Sequence, residues 1–114
     1  MVRWKRELGD RCPDLYITEN GCAYGDGVSD DGAVHDARRI AYLDKHLKAM
    51  KDAIDAGSPV KGYYQWSLLD NFEWALGYEK RFGIVHVDFQ SQKRTLKDSA
   101  LWYSVIVKNN GSTL

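Results

Sequence analysis

Two cysteines and three histidines are all that the 114 residues offer as thiolate or imidazole ligands. No Cys-x-x-Cys occurs, and His35, His46 and His86 are scattered, none four residues from another His or Cys. Cys12 and Cys22 are too few for a disulfide scaffold, so both are read as free thiols, and neither metal nor cofactor is expected. An excess of charge is also missing. Sixteen basic and sixteen acidic side chains cancel, no basic block occurs, and nothing favours nucleic acid; the expected partner is neutral. Nor is there a long apolar run. Met1 to Arg6 is basic but leads into Glu7, Gly9 and Asp10, so no signal peptide and no membrane span is expected, and a cytoplasmic location follows as the expectation.

Aromatic residues, by contrast, are plentiful: four Trp, seven Tyr and three Phe, with Trp66, Phe72, Trp74, Tyr78 and Phe82 in one short stretch. Aromatics bury large areas wherever they occur, so a hydrophobic core accounts for such a cluster. A platform on which the C–H face of a pyranose stacks accounts for it equally.

With 44% hydrophobic and 28% charged residues, the composition is that of one soluble globular unit. Trp4 to Gly9 reads as the end of a helix. After Pro13, the β-branched and aromatic run Leu15-Tyr16-Ile17-Thr18 predicts a strand that stops at Glu19-Asn20-Gly21, followed by a Gly- and Asp-rich loop from Tyr24 to Gly32. Ile40, Leu43, Leu47, Met50 and Ile54 recur at helical spacing. Asp36 is the expected N-cap of that helix, and Gly57 with Pro59 closes it. Val60 to Ser67 predicts a second strand, with Lys61, Gln65 and Ser67 alternating against Gly62, Tyr64 and Trp66. Phe82 to Phe89 reads as a hairpin-like strand turning at Ser91-Gln92. Thr95 to Asp98 fits a capping box for a last helix ending near Gly111, with Leu96, Ala100, Tyr103 and Val107 on one stripe.

The order strand, helix, strand, short strand, helix is the pattern of βα units on a parallel sheet. Two such units cannot cover both faces and both edges of their strands, so the pattern resembles a slice of a larger barrel.

Two places stand out chemically. Glu19 falls at the C-terminal end of a strand, where parallel barrels present catalytic side chains, although a Glu in a surface turn is also common. The strand ending at Trp66 leads into Leu69-Asp70-Asn71-Phe72-Glu73-Trp74-Ala75-Leu76-Gly77-Tyr78, which adds a carboxylate and aromatics at the same end of the sheet. Carboxylates, indole N–H groups and flat rings suit a saccharide, while a capped core uses the same residues.

Ile17 to Gly21, Asp36 to Leu43, Gly62 to Tyr78 and Arg81 to Phe89, in that order and with Arg94-Thr95 and the last helix, resemble the C-terminal quarter of family 1 glycoside hydrolases. The resemblance runs from about Pro13 onward. It implies an α/β fold in which residues 1–114 form the C-terminal βα units of a (β/α)8 TIM barrel, strands seven and eight with their helices, incomplete as a single chain. It also implies a retaining β-glycosidase, β-glucosidase-like, acting on a β-glycoside or oligosaccharide. Glu19 matches the nucleophile. Trp66 matches the indole packed against the sugar, Glu73 the acceptor for the 4- and 6-hydroxyls, Trp74 a donor to the 3-hydroxyl, and Phe82 a wall of the pocket. An acidic residue at Glu73 disfavours a phosphorylated sugar.

The departure from the family is the acid/base Glu of an Asn-Glu-Pro motif. Here Pro13 follows Cys12 and Pro59 follows Ser58, so the motif is absent. The isolated chain is therefore expected to be inactive, needing a missing N-terminal barrel portion. The alternative is a non-catalytic saccharide-binding or self-associating fragment, and a chain incompletely folded in isolation is a third expectation.

Overall fold

The run opening at Leu15 does form a strand, and in the computed structural model, which describes residues 1–114, this β1 extends over Leu15–Asn20. It is two residues longer than its β-branched core, so Glu19 and Asn20 lie inside the strand instead of in the turn after it. Before it come α1 (Val2–Leu8) and one 3-10 turn, Gly9–Arg11. After it come α2 (Ala37–Asp55), β2 (Val60–Gln65), a 3-10 turn at Trp74–Leu76, β3 (Val85–Val87), β4 (Arg94–Leu96) and α3 (Asp98–Lys108).

β1 and β2 are adjacent and parallel, as a βα unit requires, with Tyr16 opposite Gly62, Ile17 opposite Tyr63 and Asn20 opposite Gln65. Their register is not uniform. From Ile17 to Asn20 β1 advances three residues while β2 advances two, from Tyr63 to Gln65, so β1 carries a bulge at Thr18-Glu19. Exposure records the same event: side chains alternate as far as Thr18, but Thr18 and Glu19 are both exposed and Asn20 turns inward.

α2 and α3 pack on each other and lie on one face of the pair. Tyr63 of β2 meets Tyr103 of α3, ring centroids 6.5 Å apart, and Asn20 meets Tyr42 of α2. The opposite face is bare, and Tyr16 and Tyr64 stand exposed on it. The alternation expected in β2 is present from Tyr64 to Ser67, with the polar residues on the covered side. Gln65 and Ser67 sit inward and Tyr64 outward, because α2 and α3 cover the side to which Tyr63 and Gln65 point.

The expected hairpin forms as a separate two-stranded antiparallel sheet, pairing Val85 with Leu96, His86 with Thr95 and Val87 with Arg94. Its turn is held by Asp88 Oδ1, which accepts from the backbone N–H of Gln90 (2.9 Å) and Ser91 (3.3 Å). This pairing overturns the capping box. Thr95 is committed to β4, and the cap position of α3 falls on Lys97, whose side chain makes no cap bond. The carboxylate that serves α3 comes from Asp36. Backbone pairing of Val34 with Lys97 brings the start of α2 alongside α3, and Asp36 Oδ1 accepts from Ser99 N at 2.8 Å. Asp36 holds the N-cap position of α2, yet its carboxylate bonds no amide of that helix's first turn. The apolar stripe of α3 also shifts: Ser99, Ala100 and Ile106 are buried, whereas Val107 is exposed, as is Leu96 on β4.

Only 18 of the 114 residues are buried, and the apolar core is split between Ile84, Val85 and Ala100 under the hairpin and Leu43 and Leu47 on α2. The molecule is a slab of 51 × 33 × 18 Å with a radius of gyration of 16.3 Å, against about 13 Å for a compact domain of this length. The slab follows from a two-stranded sheet covered on one side only. No helix is long and apolar enough to cross a membrane.

Candidate active site

Glu19, Asn20 and Gly21 at the C-terminal end of β1 line a cleft of about 340 Å³ together with Trp66, Glu73 and Phe82. Four of the five residues singled out in the sequence therefore share one hollow, formed where neighbouring parallel strands end. Trp74 does not line it. Its side chain is 83% exposed on the 3-10 turn, with a backbone φ of +45° that residues other than glycine seldom adopt. A larger hollow of about 460 Å³ lies between α2, α3 and Leu114, but its walls, among them Leu47, Met50, Ile54 and Ile106, are mostly apolar and include none of the candidates.

Close backbone approach builds the cleft floor. The N–H of Trp66 donates to the carbonyl of Asn20 (2.9 Å), and the Trp66–Ser67 peptide is cis. Gln65 Nε2 donates to the Trp66 carbonyl at 2.7 Å. That carbonyl occupies the space where a Cβ on residue 21 would lie, which is why Gly21 follows Glu19-Asn20. Further along, Ser67 N donates to the carbonyl of Phe82 (3.2 Å) and Ile84 N to the carbonyl of Ser67 (3.0 Å), tying the Trp66 end of β2 to the segment bearing Phe82.

The loop from Leu68 to Arg81, which carries Glu73, is anchored by Asp70. Its carboxylate accepts from Gly83 N (3.0 Å), Arg81 Nη1 (2.7 Å) and Lys97 Nζ (3.1 Å). Lys97 Nζ also donates to Asp26 (2.7 Å), Asp26 pairs with Arg39, and Arg39 Nε donates to Asp36 (2.9 Å). Asp26, Asp36 and Asp70 against Arg39, Arg81 and Lys97 make a neutral set, and the side chains of Asp36, Arg39, Asp70 and Lys97 are fully buried. In so little apolar core, such a set is tolerated because each charge has a partner and further hydrogen bonds, which offset the cost of burying it. Arg39 donates as well to the carbonyls of Cys22, Arg81 and Phe82, so the loop after β1 and the segment bearing Phe82 are held by one guanidinium.

Sequence patterns missed Asn20 and Gly21 as cleft residues and the whole charged network. Gly21 was readable from the Asn-Gly pair as a turn. Nothing in spacing marks Lys97 as a buried cation.

The chemistry open to this cleft is that of a neutral polyol. Two carboxylates, Glu19 and Glu73, stand beside an indole and a phenyl ring. Ring faces bind C–H surfaces, and carboxylates accept from hydroxyls or attack an electrophilic carbon.

Comparison with known proteins agrees with this chemistry. The model of glycosyl hydrolase family 1 matches residues 2–112. β-Glucosidase A of Thermotoga maritima is 63% identical over 99 residues, which are 87% of this chain and 22% of that protein. The 1,4-β-D-glucan glucohydrolase of Thermotoga neapolitana is 60% identical over 100 residues, 88% of this chain and 22% of its own length. Among solved structures, the family 1 β-glucosidase of Thermotoga maritima in complex with isofagomine lactam superposes with a TM-score of 0.90 at 57% identity, over 96% of this chain and 25% of that one. The chain thus spans between a fifth and a quarter of the relatives that it matches. Its α/β fold is that of βα units from their barrel, without closure into a barrel of its own.

Proposed function

The chain belongs to glycosyl hydrolase family 1, and on that premise we propose that it supplies the nucleophile and part of the glycone site of a retaining, β-glucosidase-like enzyme for non-phosphorylated β-glycosides. β1 and β2 take the places of strands seven and eight in the barrel, and residues 1–114 form its C-terminal βα units. The observation that carries the reading is the single cleft in which Glu19, Trp66, Glu73 and Phe82 meet at the ends of adjacent parallel strands.

In this reading Glu19 attacks the anomeric carbon and forms a covalent glycosyl-enzyme. The retaining mechanism needs a second carboxyl about 5 to 5.5 Å away to protonate the leaving oxygen and then to activate water. The Asn-Glu-Pro motif that supplies it in the family is not in these residues, so the chain acts only when joined to the barrel portion that carries it. Trp66 stacks on the sugar, Glu73 accepts from its outer hydroxyls and excludes a phosphate there by charge, and Phe82 closes one wall. Trp74 donates to the 3-hydroxyl only once further barrel elements cover it.

The test is hydrolysis of a chromogenic β-glucoside by the chain alone and by a barrel assembled from it and the complementary part of the Thermotoga maritima relative. Activity is expected only in the assembled barrel. Glu19→Ala should lower it on the order of 10⁴-fold or more, with azide restoring turnover as the α-glycosyl azide. Activity of the chain alone, or an active Glu19→Ala barrel, would contradict the reading.

A second reading, a non-catalytic saccharide-binding or self-associating fragment, is favoured by one observation: β1 and β2 each keep an unpaired edge beside exposed Tyr16, Tyr64 and Leu68. Sedimentation of the chain with and without its complementary part separates the two partners, a second copy or the rest of the barrel.

A further inference from the structure

We propose that Asn20 is a positioning residue, whose side chain, clamped between Tyr63 and Tyr42, locks the β-bulge that turns Glu19 into the cleft; this rests on the reading of Glu19 as nucleophile.

In a regular strand residues two apart share a face. Ile17 is half-buried on the side covered by the helices, so without the bulge Glu19 would point the same way, toward α2. The extra residue at Thr18-Glu19 reverses the phase. Asn20 takes the inward position, and Glu19 joins Thr18 on the open side, where it lines the cleft. Bulges are uncommon between parallel strands, and re-aiming a side chain beside an active site is one of their recurrent uses.

Such an irregularity persists only when something makes the slipped register worse. Asn20 supplies that. The Tyr63 hydroxyl donates to its Oδ1 at 2.8 Å, and its Nδ2 donates to the Tyr42 hydroxyl at 3.1 Å. Tyr42 is itself fixed by stacking on His46, with ring centroids 3.9 Å apart. Burial, followed by the nearby Tyr103, pushes the Tyr63 phenol far above its ordinary range, so it stays a donor at any working pH. The Asn20 carbonyl accepts from Trp66 N at 2.9 Å. One residue thus joins α2, β2 and the cleft indole directly after Glu19. A one-residue slip would leave both phenols without their amide partner and send Glu19 to the helix side. An amide fits here because it accepts at one end and donates at the other.

The test uses the barrel assembled from this chain and the complementary part of the Thermotoga maritima relative, with 2-deoxy-2-fluoro-β-D-glucosyl fluoride as the probe. Glu19 attacks C1, the C1–F bond breaks, fluoride leaves, and the 2-fluoro group slows hydrolysis, so the labelling rate reports the glycosylation step. Labelling is followed as a saturating rate, a half-saturating concentration and a final fraction of sites. For Asn20→Ala the saturating rate should fall on the order of 10²-fold, the scale of an ångström-sized misplacement, with the half-saturating concentration nearly unchanged. Tyr63→Phe, which removes one hydrogen bond, should lower it about tenfold.

A merely structural role would lower the fraction labelled and leave the rate of the remaining sites at the parental value, and that result overturns the proposal. If Asn20→Ala yields no labelled sites, the rate of Tyr63→Phe decides on the same terms. A Glu19→Ala barrel that keeps its turnover overturns the functional reading itself. If Glu19→Ala is inactive while Asn20→Ala and Tyr63→Phe label at the parental rate, only the positioning role fails.

Discussion

Replacing Lys97 by Met removes the cation between Asp26 and Asp70 while keeping most of the side-chain volume. Lys97 Nζ lies 2.7 Å from Asp26 and 3.1 Å from Asp70, and neither the amine nor the Asp70 carboxylate touches solvent. Removing one partner of a buried pair typically costs about 3 to 5 kcal/mol, since the remaining charge is left in a poorly polarisable interior. Both carboxylates keep a second cation here, Arg39 for Asp26 and Arg81 for Asp70, which places the cost near the lower end, about 3 kcal/mol. A kcal/mol moves the unfolding midpoint about 2 to 4 °C in a protein of 150 to 250 residues and roughly half as much in one twice that size. In the assembled barrel, scanning calorimetry should therefore find the midpoint of Lys97→Met lowered by about 3 to 6 °C. Adding Asp26→Asn restores neutrality and should recover most of the loss, because the network then holds two acids and two bases. Lys48→Met, which removes an exposed helical pair with Asp44, is the control and should move the midpoint by less than about 1 °C. A Lys97→Met barrel as stable as its parent, or a double variant no better than the single one, would refute the assignment of the network as the tie between the loops.

Two histidines should titrate in opposite directions, readable by NMR of their ring protons. His35 is held at Nδ1 by Asp98 (2.7 Å) and at Nε2 by Asp31 (3.0 Å), and these hydrogen bonds, Asp98 first, raise its pKa above 6.5. What His35 contributes is fully present below its unfolded value and is lost as pH rises through the raised folded one, so Asp98→Asn should bring the midpoint down. His86, buried on β3 with Arg81 and Lys97 nearby and Asp70 and Asp88 opposing them, has its pKa lowered first by burial. Its contribution is present above the unfolded value and lost as pH falls, so the hairpin should loosen in mild acid; a His86 midpoint above 6.5 would count against that burial. Gly21→Ala drives a Cβ into the Trp66 carbonyl and should cost roughly 1 to 3 kcal/mol, with loss of sugar-analogue labelling. Unchanged stability and labelling would mean that the two strand ends do not lie this close.

The sequence made the elements legible where local rules act alone. Apolar residues at helical spacing announced α2, and β-branched and aromatic runs announced β1, β2 and the hairpin. It misled where distant segments compete for the same group. Thr95 fits a capping box, but His86 claims it as a strand partner, and Asp36, an apparent cap for its own helix, serves α3 across the fold instead. The buried face of β2 was not legible for a related reason: which face is covered depends on where α2 and α3 land, and the alternation of Gly62, Tyr64 and Trp66 carries no sign. At the site, Glu19, Trp66, Glu73 and Phe82 were nameable from motif order, and they come together in the cleft. Trp74 stands outside it, because nothing in these residues covers the 3-10 turn that carries it. The bulge was invisible, because Thr18, Glu19 and Asn20 are all polar and leave no apolar alternation whose phase could be seen to reverse.

The measurement that bears most directly on the central claim is the site of covalent labelling. The assembled barrel is treated with 2-deoxy-2-fluoro-β-D-glucosyl fluoride, digested, and its peptides are mapped by mass spectrometry. The expected result is one 2-fluoroglucosyl group on the peptide spanning Leu15 to Asn20, carried by Glu19. A label on Glu73 or on any other residue, or an active barrel that takes up no label, would contradict the account.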